Sequence, residues 1–177
     1  MEEKNIPEFD ERGCLPEGIY NPSVNEFVER FVEISQRRKL LFGKYKNFTK
    51  LSNNAKGIEQ HYIDGSYVTK KERPGDIDLL LTFNDHVYDT EESYNAYFDL
   101  THNQEKIKEE YEIHLFFSKI PNELEPVEIQ HYWEREKNKI LGWWSRFYTD
   151  RENNIIDEKR KGFIVFNKGE LEQIEDW

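Results

Sequence analysis

The feature that most constrains this chain is a pair of strand-like runs joined by a Gly-Ser turn: Ile58–Asp64, then Gly65-Ser66, then, after nine intervening residues, Asp76-Ile77-Asp78-Leu79-Leu80-Leu81. Side chains of a strand alternate with period two, so acids at i and i+2 project from one face. Two carboxylates held side by side repel, and a divalent cation with oxygen ligands relieves that repulsion. Gly65 lets the backbone approach a ligand closely. Ser66 is placed to open a helix whose free N–H groups attract phosphate. Carboxylates beside a phosphate cradle point to a nucleotide site.

Composition narrows the class. A chain of 177 residues has room for one core, and 15% aromatic residues compensate for a hydrophobic share of only 36%. A formal charge of −11 argues against broad binding to duplex DNA, which depends on Lys and Arg meeting phosphates. Nucleotide binding stays open, because Mg²⁺ bridges acidic residues to a triphosphate. The single Cys14 has no disulfide partner in the chain and sits in no zinc-type cluster. With no long apolar run and a polar amino terminus, the expectation is a cytoplasmic chain without a membrane segment.

The order of elements is read as follows. Residues 1–22, rich in Pro and Gly, form an N-terminal arm with Ile6, Phe9, Leu15, Ile19 and Tyr20 as docking points; residues 23–177 form a single domain. A helix starts at Ser23, boxed by Glu26, and runs to about Phe48, with Asn53-Asn54 as the break. Strands follow at 58–64, 76–83, 111–118 and 162–167, with helices over 91–110 and 127–145 and an acidic tail. The expected fold is α/β (α+β): a small mixed sheet flanked by helices.

Gly65-Ser66, the spacer and Asp76-x-Asp78 resemble the signature of the polymerase β-like nucleotidyltransferase superfamily. More of the chain is similar to a small nucleotidyltransferase-like family known as a domain of unknown function. The matching segments are Ile6–Gly13, Leu15–Tyr20, Asp64–Thr69 with Lys71, Pro74–Asp78, Trp144–Phe147, Asp150-Arg151 and Lys161–Ile164. The resemblance implies a nucleotidyltransferase fold, Asp76 and Asp78 as ligands of Mg²⁺ (Mn²⁺ as the alternative), and Gly65 and Ser66 on the triphosphate. It places a third acid on the strand after the intervening helix. There this chain has His114, with Glu112 two positions earlier on the same face, so His114 is the candidate base, a metal ligand or a plain strand residue.

The implied activity is transfer of a nucleoside monophosphate from a nucleoside triphosphate to a protein, a tRNA or a small molecule, in a toxin–antitoxin or phage-defence setting by analogy of fold. The alternatives are a catalytically degenerate nucleotide- or partner-binding module and a structural member of a defence complex. Lys70, Lys71 and Arg73 stand as phosphate partners or as a solvated loop. Asp64, immediately before the glycine, reads as a turn cap, with support of the metal as the alternative. Lys161 and Asp150-Arg151 read as a structural ion-pair set, with closure over the site as the alternative, and Trp133, Trp143, Trp144, Phe147 and Tyr148 as packing on the sheet, with stacking on a base as the alternative. His61, His86, His102 and His131 show no ligand spacing.

Overall fold

A computed structural model of the chain describes residues 6–84, 90–121, 124–144, 148–149, 155–157 and 160–177; for Tyr148–Thr149 and Ile155–Asp157 it describes the backbone pairing alone. His86, Phe147 and Asp150-Arg151 lie outside the described residues.

The long apolar rhythm after Pro22 breaks into two helices. Ser23 caps α1 (Val24–Phe27), its hydroxyl accepting from the Glu26 N–H. The Glu26 carboxylate does not complete a capping box; it accepts from the Ile6 N–H at 2.8 Å and ties down the arm. A π-helical turn over Val28–Val32 follows, and Ser35 caps a second start, α2 (Gln36–Asn54). The helical periodicity survives the break, because residues of both pieces, among them Phe27, Phe31, Leu41, Tyr45 and Phe48, are buried in one core.

Five strands form a mixed sheet: β1 (Ile19–Tyr20), β2 (Ile58–Asp64), β3 (Ile77–Phe83), β4 (Ile113–Lys119) and β7 (Phe163–Asn167), in spatial order β1-β7-β2-β3-β4. The β1/β7 and β3/β4 pairs are parallel, and β7/β2 and β2/β3 are antiparallel. A separate pair joins β5 (Tyr148–Thr149) to β6 (Ile155–Asp157). The parallel β3/β4 step needs a crossover, which α3 (Glu91–His102) and α4 (Gln104–Tyr111) supply.

The two sheet faces carry different sets. One presents Ile63, Leu79, Leu81, Ile113, Leu115, Ile164 and Phe166 to the main core under α1 to α4 and α6 (Lys168–Asp176). The other presents Tyr62, Leu80, Phe163 and Val165 to Leu141 and Trp144 of α5 (Val127–Trp144). Trp144 thus packs on the sheet as expected, whereas Trp143 is largely exposed. The expected acidic tail is the amphipathic helix α6, which buries Leu171 and Ile174 and carries a capping box between Asn167 and Glu170.

The arm is part of this architecture. Ile6 and Leu15 are buried, Cys14 bridges to Thr69, and β1 adds an edge strand. Ile19 is exposed, so Tyr20 anchors that strand in its place.

Candidate active site

The second face of the sheet ends in a polar row. Asp64 on β2 lies opposite Asp78 on β3, and Asp78 lies beside His114 on β4. Paired residues in register share a sheet face, so three titratable side chains stand abreast. His114 Nδ1 is 3.3 Å from Asp78 Oδ1. On β7 the pairing with β2 runs as far as Ile63↔Ile164, and Phe163, one residue earlier, packs on Tyr62 at the apolar end of this face.

Gly65 explains how the turn can sit so close. Its φ is +76°, in the left-handed region, and a Cβ there would overlap Asp78 Oδ2. The turn backbone therefore abuts the second carboxylate of the Asp76-x-Asp78 pair. The helix expected from Ser66 is a single 3₁₀ turn over Gly65–Val68, too short for a helix dipole to matter.

Charge in the row is poorly compensated. Burial pushes the Asp78 carboxyl up, and the nearby Asp76 charge pushes it further, against the opposing pull of His114 and Lys161. Asp64, 3% exposed, is likewise pushed up by burial. It does not cap the turn; both its oxygens accept from Lys161 Nζ, at 3.0 and 2.9 Å. Lys161 thus belongs to this row and not to an ion-pair set at the carboxyl end.

Cations gather on the adjoining side. A cleft of about 600 Å³ is lined by Arg12, Gly13, Ser66, Thr69, Lys70, Lys71 and Lys161, among others. Lys71 is exposed on its wall and Asp76 is half-buried at the start of β3. The structure thus brings Gly65, Asp76, Asp78 and His114 to one end of the sheet, with Ser66 and Lys71 on the cleft beside it.

Glu112 is a correction. It lies before the strand, in left-handed conformation at φ 55°, as the C-cap of α4. Its carboxylate is held by Arg37 at 2.9 and 3.1 Å and by Lys44 at 2.9 Å, which bring its pKa down to about 2. It does not share the His114 face. Among the described residues, no group of three or more His, Cys, Asp and Glu side chains is arranged to hold a metal ion.

The carboxylates still suit a hard cation. Mg²⁺ is commonly bound by one or two carboxylates together with substrate phosphates and water. Asp76 and Asp78 are such a pair, and the Lys161 ammonium already stands as a cation beside the row.

The scaffold of the site escaped sequence reasoning. Arg38, fully buried, donates to the carbonyls of Phe31, Ser66, Tyr67, Thr69 and Lys71 at 2.6–3.3 Å. Ser35 Oγ donates to the Glu72 carbonyl at 2.6 Å, and Arg37 to the carbonyls of Pro74 and Gly75. One end of α2 thereby holds the whole loop between Ser66 and Asp76. The clue available beforehand was an Arg pair, Arg37-Arg38, within a helix whose neighbours read as core.

A family model described as a family of unknown function (DUF6932) matches residues 7–167. The comparison with curated proteins gives no match, and neither does that with solved structures.

Proposed function

Because the chain belongs to the DUF6932 family of unknown function, we propose its activity from the cleft itself: metal-dependent nucleotidyl transfer on a nucleotidyltransferase fold. The observation that carries this reading is the junction of two unlike surfaces. An acidic row, Asp64–Asp78–His114, meets a cation-lined cleft at Gly65 and Ser66. A metal–triphosphate is the ligand class that needs both, since its phosphates are anionic and its metal is not.

In this reading Asp76 and Asp78 hold Mg²⁺, which when bound neutralises charge developing on the phosphates. Ser66, Lys71 and the Gly65 backbone orient the triphosphate. The acceptor oxygen forms a bond to the α-phosphorus, the bond to the bridging oxygen breaks, and pyrophosphate leaves with the electron pair. With Nδ1 of His114 turned to Asp78, its Nε2 is left to take the acceptor's proton. The net charge of −11 favours a protein, a tRNA end or a small molecule as acceptor over duplex DNA.

A second reading keeps the binding and drops the transfer. The capture of Glu112 by Arg37 and Lys44 favours it, because His114 then stands where a carboxylate would assist the acceptor. Incubation with each radiolabelled triphosphate, Mg²⁺ or Mn²⁺ and cell extract separates the two. Label on protein or RNA that disappears in Asp78→Asn supports transfer; nucleotide binding without label supports the module. Absence of both binding and label overturns the proposal.

A further inference from the structure

His114 does not stand alone at the β4 end of the row. Its ring lies 4.5 Å from that of Phe116, two residues along the same strand face. Phe116 in turn meets Trp143 of α5 at 6.3 Å and 62°. Trp144, itself buried, meets Phe116 edge-on at 5.6 Å and holds it against the sheet. The packing of α5 is carried by Leu141 and Trp144, whereas Trp143 is 62% exposed beside the site. An indole is a large apolar surface, and stacking on a flat ring is a contact that covers it.

The order of groups across the sheet says which ring that is. The cation-lined cleft opens at Ser66, just past the end of β2, and Asp78 stands on β3. His114 and Phe116 are on the other side of Asp78, on β4, against which α5 packs. In nucleotidyl transfer the attacking and leaving oxygens lie roughly in line through the α-phosphorus. With the leaving phosphates on the Ser66 side, the acceptor enters from the β4 side, where the aromatic rings are. A serine, threonine or lysine acceptor carries no ring. A tyrosine bears its hydroxyl on the ring itself, which places that ring at His114 and short of Trp143. A ribose holds its hydroxyl several bonds from the base, and Trp143 stands one aromatic residue away from His114.

We propose that Phe116 and Trp143 form a stacking ledge for the base of the acceptor, and that the acceptor is a nucleoside hydroxyl. This rests on the transfer reading above and names its acceptor class. The base lies on Trp143 and brings its ribose hydroxyl to Nε2 of His114. That oxygen bonds to the α-phosphorus, its proton passes to Nε2, and pyrophosphate leaves with the electron pair of the broken bond, giving a phosphodiester. A free nucleoside and the terminal nucleoside of an RNA present the same chemistry. The net charge of −11 disfavours a long phosphate backbone, so recognition is confined to the end.

Fluorinated tryptophan tests the ledge in EDTA, with neither metal nor triphosphate present. Fluorine NMR gives a signal for each of the four Trp residues, and the one missing in Trp143→Phe belongs to Trp143. The titrants are adenosine, an RNA trinucleotide with a free terminal ribose, and the peptide glycyl-tyrosyl-glycine, each through the millimolar range. The Trp143 signal is expected to shift with adenosine and the trinucleotide and to stay in place with the peptide. Tighter binding of the trinucleotide assigns an RNA end as the source; tighter binding of adenosine assigns a free nucleoside. Trp143→Ala, at an exposed position, is expected to weaken nucleoside binding about tenfold in equilibrium dialysis.

No shift at Trp143 with either nucleoside ligand, or a stronger response to the peptide, overturns the ledge and leaves the transfer reading standing. Label confined to protein in the triphosphate assay overturns the nucleoside acceptor in the same way. A chain that binds nucleoside at Trp143 but transfers no label keeps the ledge as a binding site and overturns the transfer reading instead.

Discussion

The backbone of Gly65 rests against the carboxylate of Asp78 so closely that a Cβ on the glycine would overlap Oδ2. The turn and the Asp76-x-Asp78 motif, separated by a loop in sequence, are therefore one contact in space. Gly65→Ala meets two penalties there, a side chain at φ +76° and a collision with Asp78. The expected loss is about 2–4 kcal/mol of unfolding free energy, with nucleotide affinity abolished. Urea unfolding and nucleotide titration check this; a variant with full affinity would show that the turn does not position phosphate.

Asp78 sits where its surroundings disfavour the charged carboxylate. Burial and the Asp76 charge raise its pKa above the ordinary carboxylate value, so its stabilising contribution is lost as pH rises through that raised pKa. Asp78→Asn is expected to be more stable than the natural chain by about 1 kcal/mol at neutral pH while losing nucleotide binding. The difference should shrink as pH falls and the natural carboxyl takes up a proton. Thermal unfolding at several pH values measures it, and an Asn variant less stable at pH 7 would contradict the charge argument.

Arg38 presents its guanidinium to five backbone carbonyls from within the core. Arg38→Met takes the guanidinium donors away from those carbonyls, of which Ser66 keeps the Thr69 hydroxyl at 2.9 Å, and is expected to cost about 3–5 kcal/mol. Arg38→Lys is expected to rescue little, because one ammonium cannot reproduce a planar fork of donors. Denaturant midpoints of the two variants, with proteolysis of the 66–75 loop as a local probe, give the comparison.

His61 is fully buried between the Tyr45 hydroxyl at 2.9 Å and Ser52 Oγ at 3.2 Å, and burial brings its pKa down to about 3. Above the unfolded-state pKa the ring is neutral in both states. Below it the unfolded chain takes up a proton that the folded chain refuses, so stability falls as pH drops. Between pH 6.5 and 5 the expected loss is about 1.6 kcal/mol, because the slope is only half of its full 1.36 kcal/mol per unit at the unfolded-state pKa. His61→Gln should remove that slope; an unchanged slope would assign it to another group.

Much of the framework was legible because strands and helices announce themselves by local period. The strand over 58–64 and the run into Phe83 stand where the alternation and the aliphatic block put them. Boundaries set by competing local terms were less readable. The helix after Pro22 is interrupted by a π-helical turn, and Tyr111 and Glu112 end α4 instead of opening β4. The tail was misread because its charges hide the spacing of Leu171 and Ile174, which becomes informative only against α2 and the sheet.

At the site the division is sharper. The sequence by itself determined that Gly65, Asp76 and Asp78 share a neighbourhood, because a turn and a period-two strand leave few other arrangements. Tertiary structure alone decided the partners. Asp64 faces Asp78 through strand register, Lys161 reaches Asp64 from 97 residues away, and Glu112 is withdrawn by Arg37 and Lys44 from α2. Register is a relation between strands, and a charged side chain's partner is whichever opposite charge folding brings within reach. Neither is written in local spacing.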